Sequence, residues 1–251
     1  MTLQTFKSRI RQIGTRVGWF KKTADMNEKE AKWYDHLYTT SADYRCHYSQ
    51  SPYYFLWAVI ADRLRKSRIR RVLEIGCGSG QLARFLMDQG VEEYVGIDFS
   101  REALAIAQAN NPGGRFLEAD ARGSAIHHKV EHDAVICTEV LEHIEDDLAV
   151  VGNFLPGRRC LCSVPNFPYE SHVRHFTSAE EVAGRYQMFF RDLDVTTFIS
   201  PRSLEDRFFL LDGIRNEGLP EGELAANSRN EMRQQKCDSK TSNVKTVANI
   251  S

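Results

Sequence analysis

Residues 72–80 read Val72-Leu73-Glu74-Ile75-Gly76-Cys77-Gly78-Ser79-Gly80, and this run constrains the fold more than any other part of the chain. A short β-type apolar stretch, interrupted by one acid, runs directly into a glycine-dense turn. Gln81 to Asp88 follows with Leu82, Phe85 and Leu86 at helical spacing, and Gly90 stops it. Strand, glycine turn and helix make the first half of a nucleotide-type binding crevice. The glycines reach φ values closed to other residues and let a ligand lie against bare N–H groups.

The turn argues against two common ligands. A dinucleotide fingerprint needs G-x-G-x-x-G/A, and Gln81 holds its third position. A phosphate-cradling loop ends in G-K-[ST], and no lysine follows Gly80. Glu74 would also meet a pyrophosphate with like charge. A carboxylate there suits a cationic ligand, such as one with an ammonium or sulfonium group. The pattern E-x-G-x-G-x-G resembles motif I of class I S-adenosylmethionine-dependent methyltransferases.

The resemblance continues in register across residues 71–166. Tyr94 to Asp98 is similar to the second strand, ending in the acid that grips ribose hydroxyls, as an acid about 20 residues past the turn does in dinucleotide folds. Phe99 then lies against adenine, and Ser100 caps a helix over 101–109. Phe116 to Ala121 resembles the third strand and its exit, where Asp120 and Ala121 meet the base. His132 to His143 resembles the fourth strand and the loop facing the transferred methyl group, and Leu155 to Asn166 the turn and fifth strand. The resemblance implies an α/β, Rossmann-like fold: a seven-stranded, mostly parallel sheet with helices on both faces and an antiparallel final pair. It implies S-adenosyl-L-methionine as cofactor, held by Glu74, Gly76, Cys77, Gly78, Gly80, Asp98, Phe99, Asp120, Ala121 and Thr138. The branch it most resembles includes quinone-biosynthesis O-methyltransferases, so the acceptor is an oxygen or nitrogen of a small molecule, lipid-like ring or glycan.

Methyl transfer from a sulfonium is downhill, so the protein mainly aligns donor and acceptor; a protonated acceptor also needs a base. Glu139, Glu142 and His143 are the candidates, on one face if their loop opens a helix. His143, with an ordinary pKa of about 6.5, is the first choice. Together with His172 or His175 these residues also resemble the metal site of RNA 2′-O-methyltransferases of the Hen1 type. A net charge of −1 leaves no electrostatic footprint for nucleic acid, so neither a metal nor a nucleic-acid partner is assigned. A domain that binds the cofactor without turnover is a further alternative. Arg174 is placed to meet an acidic substrate group or to pair with Glu142.

At 251 residues the chain suits one α/β domain with additions. Four segments are expected. Residues 1–24 carry six basic residues and no acid, with an apolar helical stripe from Leu3 to Phe20. This segment suits packing as a lid, peripheral contact with an anionic membrane, or organelle targeting. Residues 25–70 cover cofactor and substrate, with Trp33, Tyr34, Tyr38, Tyr44, His47 and Tyr48 available as pocket walls; Ser51-Pro52 opens a helix to about Arg65. Residues 71–213 form the methyltransferase core, in which Ser178 to Glu181 has capping-box spacing for a helix to about Phe189. Residues 214–251 are a polar, disordered tail. No run of about 18 apolar residues exists, and six scattered cysteines suit a reducing cytosol, so a cytoplasmic location is expected.

Overall fold

The computed structural model describes residues 27–123 and 125–217. The basic segment over 1–24 and the tail beyond 217 lie outside the described residues.

The strands β1 (Arg71–Ile75), β2 (Glu93–Asp98), β3 (Arg115–Glu118), β4 (Ala134–Thr138), β5 (Arg159–Pro165), β6 (Phe190–Ile199) and β7 (Arg207–Arg215) form one sheet of order β3-β2-β1-β4-β5-β7-β6. All pairings from β3 across to β5 are parallel, while β7 runs antiparallel to both β5 and β6. The expected seven-stranded architecture is thus observed. Its central strands read as near-continuous apolar runs because helices cover both faces.

Seven helices accompany the strands among the described residues: α1 (Ala31–Thr40), α2 (Tyr54–Lys66), α3 (Gln81–Asp88), α4 (Arg101–Asn110), α5 (Ala125–Lys129), α6 (Asp147–Gly152) and α7 (Ala179–Tyr186). Side-chain alternation splits each strand between two cores. Val72, Tyr94, Ala134 and Ile136 pack with Leu56, Ile60 and Leu64 of α2 and Leu82 and Phe85 of α3. Leu73, Val95, Val135 and Cys137 pack on the other face with Leu148 and Val151 of α6 and Val182 and Tyr186 of α7. Glu74 shares its strand face with Val72, so an acid enters an otherwise apolar layer.

Some boundaries differ from the sequence reading. α2 begins at Tyr54, after Ser51 Oγ accepts the Tyr53 N–H at 3.3 Å; Ser51 caps a turn ahead of the helix rather than the helix itself. α7 stops at Tyr186 and a 3₁₀ turn continues to Phe189. Its cap is only half a capping box: Ser178 accepts the Glu181 N–H, but the Glu181 carboxylate reaches back to the Thr177 N–H at 2.6 Å. β7 runs through Ile214 and Arg215, which pair with Arg191 and Phe190 of β6, so ordered structure passes the expected start of the tail. Among the described residues no helix is long and apolar enough to cross a membrane.

Candidate active site

The strand order reverses between β1 and β4, and the carboxyl ends of β1, β2 and β4 open there onto one cavity of about 210 Å³. β1 delivers Glu74 and then the glycine turn. Gly76 and Gly78 take φ of +71° and +51°, and a Cβ on Gly78 would stand 2.6 Å from the Tyr38 hydroxyl, so the turn is a bare-backbone cradle. β2 delivers Asp98, whose carboxylate accepts the Gly78 N–H at 2.9 Å and the Ser100 N–H at 2.9 Å. Glu74 and Asp98, from separate strands, line the same cavity as Cys77, Phe99, Asp120, Ala121, Thr138, Glu139, Glu142 and His143. Gly80 is the exception. It does not line the cavity; a Cβ there would meet Asn111 at 2.6 Å and Ala107 at 2.9 Å, so its role is close packing of α3 on α4.

Covering this crevice is α1, whose Trp33, Tyr34, Leu37 and Tyr38 recur on one helical face and all line the cavity. No residue of α1 is fully buried, so the helix depends on docking. Asp35 accepts from Ser100 Oγ at 2.6 Å and from the Glu102 N–H at 3.3 Å, and Tyr34 tilts on Phe99 with centroids 5.2 Å apart. Ahead of α1, Glu28 accepts from the Glu145 N–H at 2.9 Å and pairs with Arg122, which also pairs with Asp120. Tyr44, Tyr53, Trp57, Phe167 and Tyr169 complete an aromatic lining. His47 and Tyr48, grouped with these by sequence, instead stack outside it, Tyr48 on Phe85.

The fourth-strand loop differs from the expected helix opening. Glu139 sits at φ +56°, outside helical space, and a 3₁₀ turn starts only at Leu141. Ser163 of β5 clamps Glu139 at both ends: its carbonyl accepts the Glu139 N–H at 3.1 Å, and its hydroxyl donates to Oε1 at 2.7 Å. A left-handed glutamate costs about 1–3 kcal/mol, which this clamp holds at the site. Arg174 is likewise not available to substrate; it donates to the carbonyls of Leu141, Ile144 and Glu145 and pairs with Asp147 at 3.4 Å, not with the Glu142 carboxylate.

Burial sets the electrostatics. It pushes Glu74 up to about 8, against the Tyr94 hydroxyl that donates to it, and Asp98 up to about 6 despite its backbone donors. Glu139 rises to about 8, and Glu142, with the Glu139 charge beside it, stands well above the carboxylate range. Two buried neighbouring carboxyls do not both ionise readily. His143 moves the other way, to about 4. Its Nδ1–H donates to the Ser171 carbonyl at 2.9 Å, so the ring is held neutral with Nε2 facing Glu142 at 3.7 Å. Burial thus disfavours the charged imidazole of His143 and the charged carboxylate of Glu139 alike.

Glu142, His143 and His172 each bring a ligand-type atom within 4.8 Å of the others. His172 Nδ1–H donates to the Phe167 carbonyl at 3.0 Å, so both imidazoles present Nε2, and neither Glu142 oxygen has a hydrogen-bond partner. His175 is not among this trio. Sequence reasoning missed Ser163, Arg122, Glu28 and Tyr53, whose roles rest on contacts between distant segments.

Residues 72–154 match the family described as Methyltransferase domain. The chain is 27% identical over 153 residues to ubiquinone biosynthesis O-methyltransferase of Aliivibrio fischeri (strain MJ11), a stretch covering 55% of this chain and 65% of that protein, just under two-thirds of its length. The protein of the same description from Aromatoleum aromaticum is 28% identical over 216 residues, covering 83% and 86%. In structure, the N-methyltransferase NodS from Bradyrhizobium japonicum WM9, solved with S-adenosyl-L-homocysteine, superposes with a TM-score of 0.56 at 17% identity, covering 75% of this chain and all of that one, which is a likeness of fold. With the motif turn, the strand order and the shared cavity, these matches identify a class I S-adenosylmethionine-dependent methyltransferase domain in this chain.

Proposed function

We propose that this chain transfers a methyl group from S-adenosylmethionine to an oxygen or nitrogen of a small molecule, lipid-like ring or glycan. The observation that carries this reading is that Glu74 and Asp98 open onto the same cavity as an aromatic lining and the clamped Glu139. The residues fit the cofactor: a buried acid for its ammonium, a bare glycine turn, and an acid on β2 for the ribose. When bound, it supplies an electrophilic methyl carbon on sulfur. The chain's own part is alignment, exclusion of water by the α1 cover, and acceptance of the acceptor's proton at the Glu139 carboxylate. Calorimetry with S-adenosylhomocysteine tests it: Asp98→Ala is expected to weaken binding at least tenfold, and equal affinity in both proteins rejects the assignment. For the acceptor, metabolite profiling of a deletion strain should show a substrate accumulating about 14 mass units below its missing product, the mass difference of one methylene.

The clustering of Glu142, His143 and His172 favours a second reading, in which these residues hold a divalent cation that would polarise an acceptor oxygen. A small oxygen-bearing acceptor suits this better than RNA, because Lys29 and Arg122 are the only lysine or arginine among the described lining residues, and Arg122 is paired. Titration with Mn²⁺ that shows no binding to the purified chain removes this reading.

A further inference from the structure

The amino-acid end of the cofactor carries a carboxylate as well as an ammonium, and the cavity wall around Glu74 is acidic. Glu74, Asp98, Glu139 and Glu142 all line it. Of the two lining cations, Arg122 is paired with Glu28 and Asp120, and Lys29 donates to Asn27. Neither cation belongs to the glycine turn or to the strand tips around it, so a carboxylate entering beside that turn needs a donor from another element. Gln81, the long polar side chain at the end of the glycine turn, is committed elsewhere: its amide nitrogen donates to the carbonyls of Asp43 at 3.0 Å and Cys46 at 2.8 Å.

Tyr38 is placed differently. Its hydroxyl oxygen stands against Gly78, 2.6 Å from where a Cβ would be, in the same cavity as Glu74 and Asp98. Its ring packs on Tyr44 with centroids 4.7 Å apart, and the Asp35 clamp on Ser100 and Glu102 fixes the helix that carries it. Burial, with the Asp98 charge next, keeps the phenol well above its ordinary pKa, so the hydroxyl stays a protonated donor.

Resting on the cofactor reading above, we infer that Tyr38 is a cofactor-binding residue whose hydroxyl donates a hydrogen bond to the carboxylate at the amino-acid end. The helical cover is then part of the binding site and not only a lid. Asp35 is the positioning residue that sets Tyr38 over the glycine turn.

The test compares two ligands by calorimetry on the full chain: S-adenosylhomocysteine, and 5′-methylthioadenosine, which keeps adenine, ribose and sulfur but lacks the amino-acid end. For Tyr38→Phe the expected result is a dissociation constant about 10-fold or more higher for S-adenosylhomocysteine, the range of a hydrogen bond to a charged group. Affinity for 5′-methylthioadenosine should stay within about twofold. Unchanged affinity for S-adenosylhomocysteine overturns the inference. Parallel loss of both ligands also overturns it, because a ribose contact or a loosened fold would do that. A wild-type chain that binds neither ligand rejects the cofactor reading itself, a failure distinct from either of these.

Discussion

Glu74 shows how one residue couples fold to ligand. It lies 2% exposed in an apolar layer, and burial raises its pKa from 4.5 to about 8. The unliganded protein therefore holds a proton that the unfolded chain loses above 4.5. This contribution to stability is full below that value and is lost as pH rises toward 8. A cationic ligand reverses the preference by stabilising the carboxylate. Binding of S-adenosylhomocysteine near neutral pH is accordingly expected to release protons, seen as a binding enthalpy that varies with the buffer's ionisation heat. Glu74→Gln should lower the release and flatten the fall of unliganded stability between pH 5 and 8; an unchanged proton count would contradict the assignment.

At the scale of elements, α1 carries the most consequence for the least burial. A helix of 10 residues is marginal alone in water, and this one has no side-chain cap at its N-terminus. Its docking rests on Asp35, on Tyr34 against Phe99 and on the Glu28 contacts just ahead of it. Asp35→Ala is expected to raise amide exchange across 31–40 while α3 and the central strands keep their protection, and S-adenosylhomocysteine should restore part of the loss. Exchange unchanged over 31–40 would show that the clamp does not hold the helix. The glycine turn before α3 is the opposite case. It is fixed by backbone bonds to β2, from Gly76 and Cys77 to the Ile97 carbonyl at 2.8 and 2.9 Å.

For the whole molecule, the reversal of strand order makes the crevice, and the antiparallel β7, between β5 and β6, joins the last strand to the sheet. β7 is locked by Asp212, 12% exposed, which pairs with Arg63 of α2 at 3.0 Å and with Arg159 of β5 at 2.6 Å. Asp212→Asn leaves two partly buried guanidinium groups short of a counter-charge. We expect it to lower stability in urea by about 2 kcal/mol. Affinity for S-adenosylhomocysteine should stay within about twofold, because this lock lies away from the strand tips lining the cavity. A loss of affinity with stability intact would place the ion-pair web in the binding site instead.

Local sequence determined the strands, the glycine turn and the α3 and α4 helices, because short near-continuous apolar runs, left-handed glycines and a serine cap act over a few residues. It also brought Glu74 and Asp98 forward, since each is an acid at or next to the end of an apolar strand. What surrounds them was decided in three dimensions. Whether Glu139 entered a helix or took a left-handed turn depended on Ser163, from the neighbouring strand. Which ring nitrogen of His143 faces Glu142 depended on the Ser171 carbonyl. The placing of Tyr38 over Gly78 depended on a carboxylate docking onto another helix's first turn. Each of these is a contact between segments far apart in the chain, where neither periodicity nor spacing carries information and only packing selects the partner.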